Sequence, residues 1–122
     1  MKALVVDDSA VMRKVLIGAL SRASITEVDQ AGDGLEAVEA VKANEYGLVL
    51  MDWNMPNMLG IDAVKAIRAE GSTVPIIMVT TEAEKSRVID ALKAGANNYI
   101  IKPFEPATIV TKIEEVLQKA SG

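Results

Sequence analysis

In residues 3–8, Ala3-Leu4-Val5-Val6-Asp7-Asp8, the run Ala3 to Val6 reads as a short buried strand with two acids at its end. The apolar run is continuous rather than alternating, which suits a strand covered on both faces of a parallel sheet. The chain then changes period. Met12, Val15, Leu16, Ala19 and Leu20 fall at i, i+3, i+4, i+7 and i+8, one apolar stripe along a helix. This strand-then-helix unit recurs down the chain. Residues 48–51, 76–79 and 99–101 are further apolar runs, and the more polar residues 25–30 read as an edge strand. Helical stripes follow through Ala37, Val38 and Val41, through Ala63, Val64 and Ile67, through Val88, Ala91 and Leu92, and through Ile109, Val110, Ile113, Val116 and Leu117.

The punctuation agrees with this division. Asp33 with Glu36, and Thr81 with Glu84, have the spacing of capping boxes at helix starts. Gly95 follows a helix as a C-terminal cap, Pro106 suits a first helical residue, and Pro75 opens a strand where its missing N–H costs little. The unit is βα, repeated five times, and the expected product is an α/β fold: a doubly wound, open parallel sheet of five strands with helices on both faces. At 122 residues and 13.0 kDa the chain is one domain, 1–122, without linker or low-complexity segment.

Composition narrows the function. Seventeen acidic against thirteen basic side chains give a net charge of −4, and no basic excess speaks for nucleic acid as a partner. The chain has no cysteine and no histidine, which excludes disulfides, zinc–thiolate sites, Ser-His-Asp chemistry and a phosphohistidine of its own. No run approaches the ~20 apolar residues of a membrane span, and the N-terminal run is too short for a signal peptide. The expectation is a cytoplasmic protein without membrane insertion, and a monomer, since no extra apolar stripe is evident.

In an open parallel sheet, functional side chains collect at the carboxyl ends of the strands, beside the point where strand order reverses. There the chain places Asp7 and Asp8 after the first strand, Asp52 after the third, Thr80 at the fourth, and Lys102-Pro103 after the fifth. Singly, each has a bland explanation. Asp7 or Asp8 can cap a helix, though Ser9 serves too; Asp52 can form a turn; Lys102 can be solvated surface; Tyr99 can be core. Together they form a set of hard oxygen donors, a hydroxyl and an ammonium. Mg²⁺ prefers such donors, and a carboxylate can act as a nucleophile toward phosphorus. The constellation points to Mg²⁺-assisted phosphoryl transfer to an aspartate.

Asp7-Asp8, Asp52-Trp53-Asn54-Met55-Pro56 followed by Gly60, Thr80, and Lys102-Pro103-Phe104 resemble the receiver domain of two-component response regulators, over the entire chain and closest to single-domain regulators of the chemotaxis CheY type. The resemblance implies the strand order 2-1-3-4-5. It implies that Asp52 accepts the phosphoryl group, that Asp8, Asp7, Asp52 and the backbone carbonyl of Asn54 hold Mg²⁺, and that Lys102 and Thr80 contact phosphoryl oxygens. A cis Lys102–Pro103 bond is implied as well. Thr80 and Tyr99 would act as the switch, reshaping a surface of the fourth helix, fifth strand and fifth helix. Arg87, Ile89, Asp90, Lys93, Tyr99 and Lys112 are the partner-contact residues expected there. Asn54 and Glu82 would tune dephosphorylation to seconds or minutes rather than hours, and Trp53 would report metal binding.

The implied partners are a histidine kinase as phosphodonor and a downstream target such as a flagellar motor switch. The implied catalysis is limited to the chain's own phosphorylation and autodephosphorylation. Other readings stay open at this point. A phosphorelay intermediate, or a receiver excised from a larger regulator, would carry the same site. A haloacid-dehalogenase-like phosphatase also uses a strand-end aspartate, but wants a second acid where Asn54 stands, and usually a cap domain. A flavodoxin-like mononucleotide binder would need a Ser/Thr/Gly-rich loop in place of Asp7-Asp8-Ser9-Ala10.

Overall fold

The computed structural model describes residues 1–121. Strands β1 (Lys2–Val6), β2 (Glu27–Ala31), β3 (Leu48–Met51), β4 (Ile76–Thr80) and β5 (Asn98–Ile101) alternate with helices α1 (Ala10–Arg22), α2 (Gly34–Ala43), α3 (Gly60–Ala69), α4 (Lys85–Ala94) and α5 (Pro106–Ser121). All pairings are parallel, in the order β2-β1-β3-β4-β5.

Strands β1, β3, β4 and β5 are largely apolar because both faces are covered, whereas the edge strand β2 is polar and partly exposed. Ala3, Val5, Leu48, Leu50, Ile77, Val79 and Ile100 pack with Leu16 and Leu20 of α1 and Ile109 and Ile113 of α5. The alternate residues Leu4, Val6, Val49, Met51, Ile76 and Met78 pack on the other side with Val38 of α2, Val64 and Ile67 of α3, and Ala91 of α4.

Strand order reverses between β1 and β3, so the crevice lies at the carboxyl ends of those two strands. The backbone ladder runs one residue past the strands there. Asp7 N–H donates to the Ala31 carbonyl (3.1 Å), Asp52 N–H to the Val6 carbonyl (3.0 Å), and Lys102 N–H to the Thr80 carbonyl (2.8 Å). Each side chain at this edge therefore leaves a backbone already fixed by its neighbour.

Several helix ends form as their residues suggest. Ser9 Oγ accepts from Met12 N–H, and Asp33 Oδ1 accepts from Glu36 N–H (2.8 Å). Glu36 reaches back to Gly32 N–H, one residue before the cap (3.1 Å). Gly95 ends α4 at φ +118°, and Pro106 is the first residue of α5. Pro75 stands just before β4, and its carbonyl accepts from Val49 N–H (2.9 Å).

Three expectations need correction. The second strand is 27–31, not 25–30. Ile25 is buried outside the strand because it closes α1: Ser24 takes φ +66°, Ser24 N–H donates to Ser21 carbonyl, and Ile25 N–H donates to Leu20 carbonyl, the two bonds of a Schellman end with an apolar residue after it. Thr81 and Glu84 form no capping box. Helix α4 starts at Lys85 after Glu84, with no side-chain cap bond. Val15 and Leu92, at the margins of their stripes, are exposed rather than core (each 46%).

At the opposite end of the sheet, Arg68 of α3 joins three segments. Its Nε and Nη2 donate to the Gly95 carbonyl, Nη2 to Asn97 Oδ1, and Nη1 to the Ser72 carbonyl. Asn97 Oδ1 also accepts from Ile76 N–H (2.8 Å), so the start of β4 shares the anchor.

Gly60, the first residue of α3, is set by close approach. A Cβ there would lie 1.8 Å from the Asp52 carbonyl oxygen. Gly60→Ala is expected to lose about 3 kcal/mol in urea denaturation, since backbone must shift to admit the methyl. Gly18→Ala is the contrasting control: its Cβ meets nothing within 4 Å in mid-helix, and a gain of about 0.5–1 kcal/mol is expected.

Candidate functional site

One carboxylate oxygen each from Asp7, Asp8 and Asp52 lies within 4.8 Å of the others. Asp7 and Asp52 are buried, while Asp8 is exposed. Lys102 stands between the buried pair, with Nζ 2.8 Å from Asp7 Oδ2 and 3.5 Å from Asp52 Oδ2. Asp7 Oδ1 accepts from Ser9 N–H (2.9 Å), and Asp52 Oδ1 accepts from Trp53 N–H (2.7 Å). Burial pushes the Asp52 carboxyl above its ordinary value; the Lys102 charge opposes this and the Asp7 charge adds to it.

Three oxygen donors spread no wider than this suit a small hard cation that binds one or two carboxylates directly and others through water. The donor set fits Mg²⁺, and a divalent charge answers a cluster that one ammonium leaves negative.

The remaining expected residues surround this cluster. Thr80 is fully buried at the end of β4, and its Oγ1 accepts from Glu82 N–H (3.3 Å). The Tyr99 hydroxyl donates to the Glu82 carbonyl (2.6 Å), and Asn54 Nδ2 donates to Glu82 Oε1 (2.8 Å). Thr80, Glu82, Tyr99 and Asn54 thus form one connected set centred on Glu82. Burial, followed by the charges of Glu82 and Asp52, pushes the Tyr99 phenol up to about 12. The Lys102–Pro103 bond is cis. Trp53 is buried beneath the Arg87 guanidinium, 5.4 Å from ring centroid to Cζ.

The residues expected at a partner surface divide. Arg87, Asp90 and Lys93 line a groove of about 410 Å³ between α3 and α4, together with Lys65, Ile61 and Trp53. Ile89 stands outside that lining and is 40% exposed, with the exposed Leu92 three residues on along the same face. Lys112 is half-buried on α5, and Tyr99 lies in the core rather than at the surface (9% exposed).

Two anchors of the site escape sequence reasoning. Arg13 Nη1 donates to the Asp7 carbonyl (2.7 Å) while its Nε donates to Gln30 Oε1 (2.9 Å), so α1 and β2 together hold the backbone of the acidic pair. Asn57 Nδ2 donates to Asp33 Oδ2 (2.6 Å). Arg13 has no local signal. Asn57 follows a proline and takes φ +67°, a conformation asparagine tolerates, so turn chemistry was its one visible mark.

Residues 3–114 match the family described as response regulator receiver domain. The chain belongs to the response regulator receiver domain family. Chemotaxis protein CheY1 of Helicobacter pylori strain J99 is 52% identical over 120 residues, covering 96% of this chain and 97% of that protein. A chemotaxis protein CheY homolog of Campylobacter jejuni is 50% identical over 125 residues, covering 100% and 96%. Among solved structures, the receiver domain of Francisella response regulator 1452 superposes with a TM-score of 0.89 at 26% identity, over 98% of each chain. Vibrio cholerae chemotaxis protein CheY4 superposes with a TM-score of 0.86 at 34% identity, over 94% of this chain and 97% of that one. The receiver fold and the 2-1-3-4-5 order are therefore shared well beyond the sequence relatives. Among the described residues, no helix is long and apolar enough to cross a membrane.

The Asp52 environment gives a signed stability prediction. Its carboxyl sits above the ordinary value of 3.8, so the folded chain holds that proton more tightly than the unfolded one. The resulting stabilisation is full below 3.8 and is lost as pH rises through the raised value. Asp52→Asn is expected to melt higher than wild type at pH 7 in chelator, with the gap closing in acid and narrowing on addition of Mg²⁺. Equal melting temperatures at pH 7 in chelator would contradict the electrostatic account.

Proposed function

We propose that this receiver acts in chemotaxis as a Mg²⁺-dependent phosphoryl switch, taking its phosphate onto Asp52 from a histidine kinase and acting on a target such as the flagellar motor. The observation that carries the reading is the meeting of Asp7, Asp8 and Asp52 with Lys102 at one sheet edge, in a chain whose relatives at about half identity are chemotaxis proteins.

In this reading an Asp52 carboxylate oxygen attacks phosphorus, the P–N bond of the donor phosphohistidine breaks, and its electron pair leaves with the imidazole. Asp7, Asp8, Asp52 and the Asn54 carbonyl would hold Mg²⁺, which supplies positive charge where the phosphoryl oxygens gather. Lys102, whose ammonium lies 3.5 Å from Asp52, would supply a further share of that charge. Burial and the Asp7 charge disfavour the ionised form of Asp52, and a divalent cation beside it would favour that form, so cation binding and readiness to react are coupled.

Turning the Thr80 hydroxyl toward a phosphoryl oxygen would end its acceptance of the Glu82 N–H. Glu82 carries both the Tyr99 hydroxyl and the Asn54 amide, so the phosphoryl group would bias Tyr99 and the start of α4 through one residue. Ile89, with Leu92 beside it, offers apolar contact on α4 for a target, and Lys112 adds a charge on α5. Loss of the Asn54–Glu82 bond would alter access of the hydrolytic water, and with it the lifetime of the signal. Nothing in the site favours the phosphatase reading: the position where that reading wants a second acid is held by the amide of Asn54.

Intact-mass spectrometry after incubation with acetyl phosphate tests the chemistry. A single phosphoryl adduct is expected in Mg²⁺, absent in chelator and absent in Asp52→Asn. Lys102→Ala is expected to slow adduct formation roughly 10²-fold, the scale seen when one stabilising donor is removed. Asn54→Ala and Glu82→Ala are each expected to change adduct decay; decay identical to wild type in both would refute their role.

A further inference from the structure

The loop between β3 and α3 runs on from Asp52 and contains Asn54. Beyond the contacts of Asp52 itself, two side-chain hydrogen bonds among the described residues join residues 53–59 of this loop to other elements. One is Asn54 to Glu82, and the other is Asn57 Nδ2 to Asp33 Oδ2 at 2.6 Å. Asp33 is buried and divides its carboxylate: Oδ1 caps α2 through Glu36 N–H, and Oδ2 holds Asn57. Backbone contact reinforces the junction. A Cβ on Gly34, the first residue of α2, would lie 2.6 Å from the Met58 carbonyl oxygen, so only glycine lets the loop approach this closely. Asn57 itself sits at φ +67°, a bend that asparagine tolerates and most other side-chain-bearing residues disfavour.

We propose that Asp33 and Asn57 are positioning residues for the metal site, with the start of α2 holding the β3–α3 loop in the shape that presents the Asn54 carbonyl to Mg²⁺. The inference rests on the proposed role of that carbonyl. Neither side chain touches the metal or the acceptor. They act through the backbone of residues 54–57, as outer-shell partners orient direct ligands elsewhere.

Calorimetric titration of the full chain with Mg²⁺ tests this without relying on phosphorylation. Asn57→Gly removes the bond but keeps the positive φ accessible. Asp33→Ser keeps a helix cap but is too short to reach Asn57, and leaves the loop sequence untouched. Asp33→Asn keeps the cap and the bond, the Asn57 amide turning to present its oxygen. The first two are expected to weaken Mg²⁺ binding roughly 10-fold, and the double variant no further than either alone. Asp33→Asn is expected to stay within about 2-fold of wild type, although it removes the same charge as Asp33→Ser. Wild-type affinity in both Asn57→Gly and Asp33→Ser would overturn the proposal, as would equal weakening in Asp33→Asn and Asp33→Ser, which would leave only a charge effect. If Asn57→Gly fails to fold, the two Asp33 variants decide. A wild type that binds no Mg²⁺ would instead overturn the metal reading itself.

Discussion

Three carboxylates crowded at one sheet edge are the constraint to which the rest of this fold answers. Like charges at this spacing repel, and one lysine cannot neutralise them. They stay together because their backbones are not free to separate. Asp7 is held by β2 and by Arg13, Asp52 by β1 and by the N–H of Trp53, whose own carbonyl accepts from Gly60 N–H, and Lys102 by β4. Those restraints are only as stiff as the strands behind them, which is why an unbroken apolar layer on both faces of the sheet matters to chemistry at its rim. The stored repulsion is in turn what makes the edge receptive to a divalent cation.

The same edge is connected outward through a short polar chain. Glu82 is its junction: its N–H donates to Thr80, its carbonyl accepts from Tyr99 and its carboxylate accepts from Asn54. A residue engaged at three atoms by three different elements is displaced when any one of them changes partner. The arrangement joins the acceptor loop, the end of β4 and the aromatic of β5 through one residue.

Much of this was readable from the chain because it is local. Continuous apolar runs fixed four strands, helical stripes fixed the helices, and acids, hydroxyl and lysine fell where strands ended. What was misread had a local competitor. Ile25 has the apolar character of a strand residue, yet closes α1; Thr81 and Glu84 have box spacing, yet the chain stays extended to Glu84. What was missed is long-range. Arg13 on the Asp7 carbonyl, Asn57 on Asp33 and Arg68 on Gly95 join residues whose sequence neighbours say nothing of one another. The strand order itself came from likeness to a family, because the repeat of strand and helix does not encode which strand lies beside which.

Arg68 has a mechanical meaning for α4. The carboxyl end of that helix is clamped: Gly95 accepts two guanidinium bonds, and Asn97 ties the same group to the first residue of β4. Its amino end, next to Glu82, begins without a side-chain cap. The helix is a rod clamped at one end and held at the other by Arg87 stacked on Trp53. Were the loop at Glu82 displaced, the clamp at Gly95 would be the pivot, and the travel of the helix would be greatest near the acceptor.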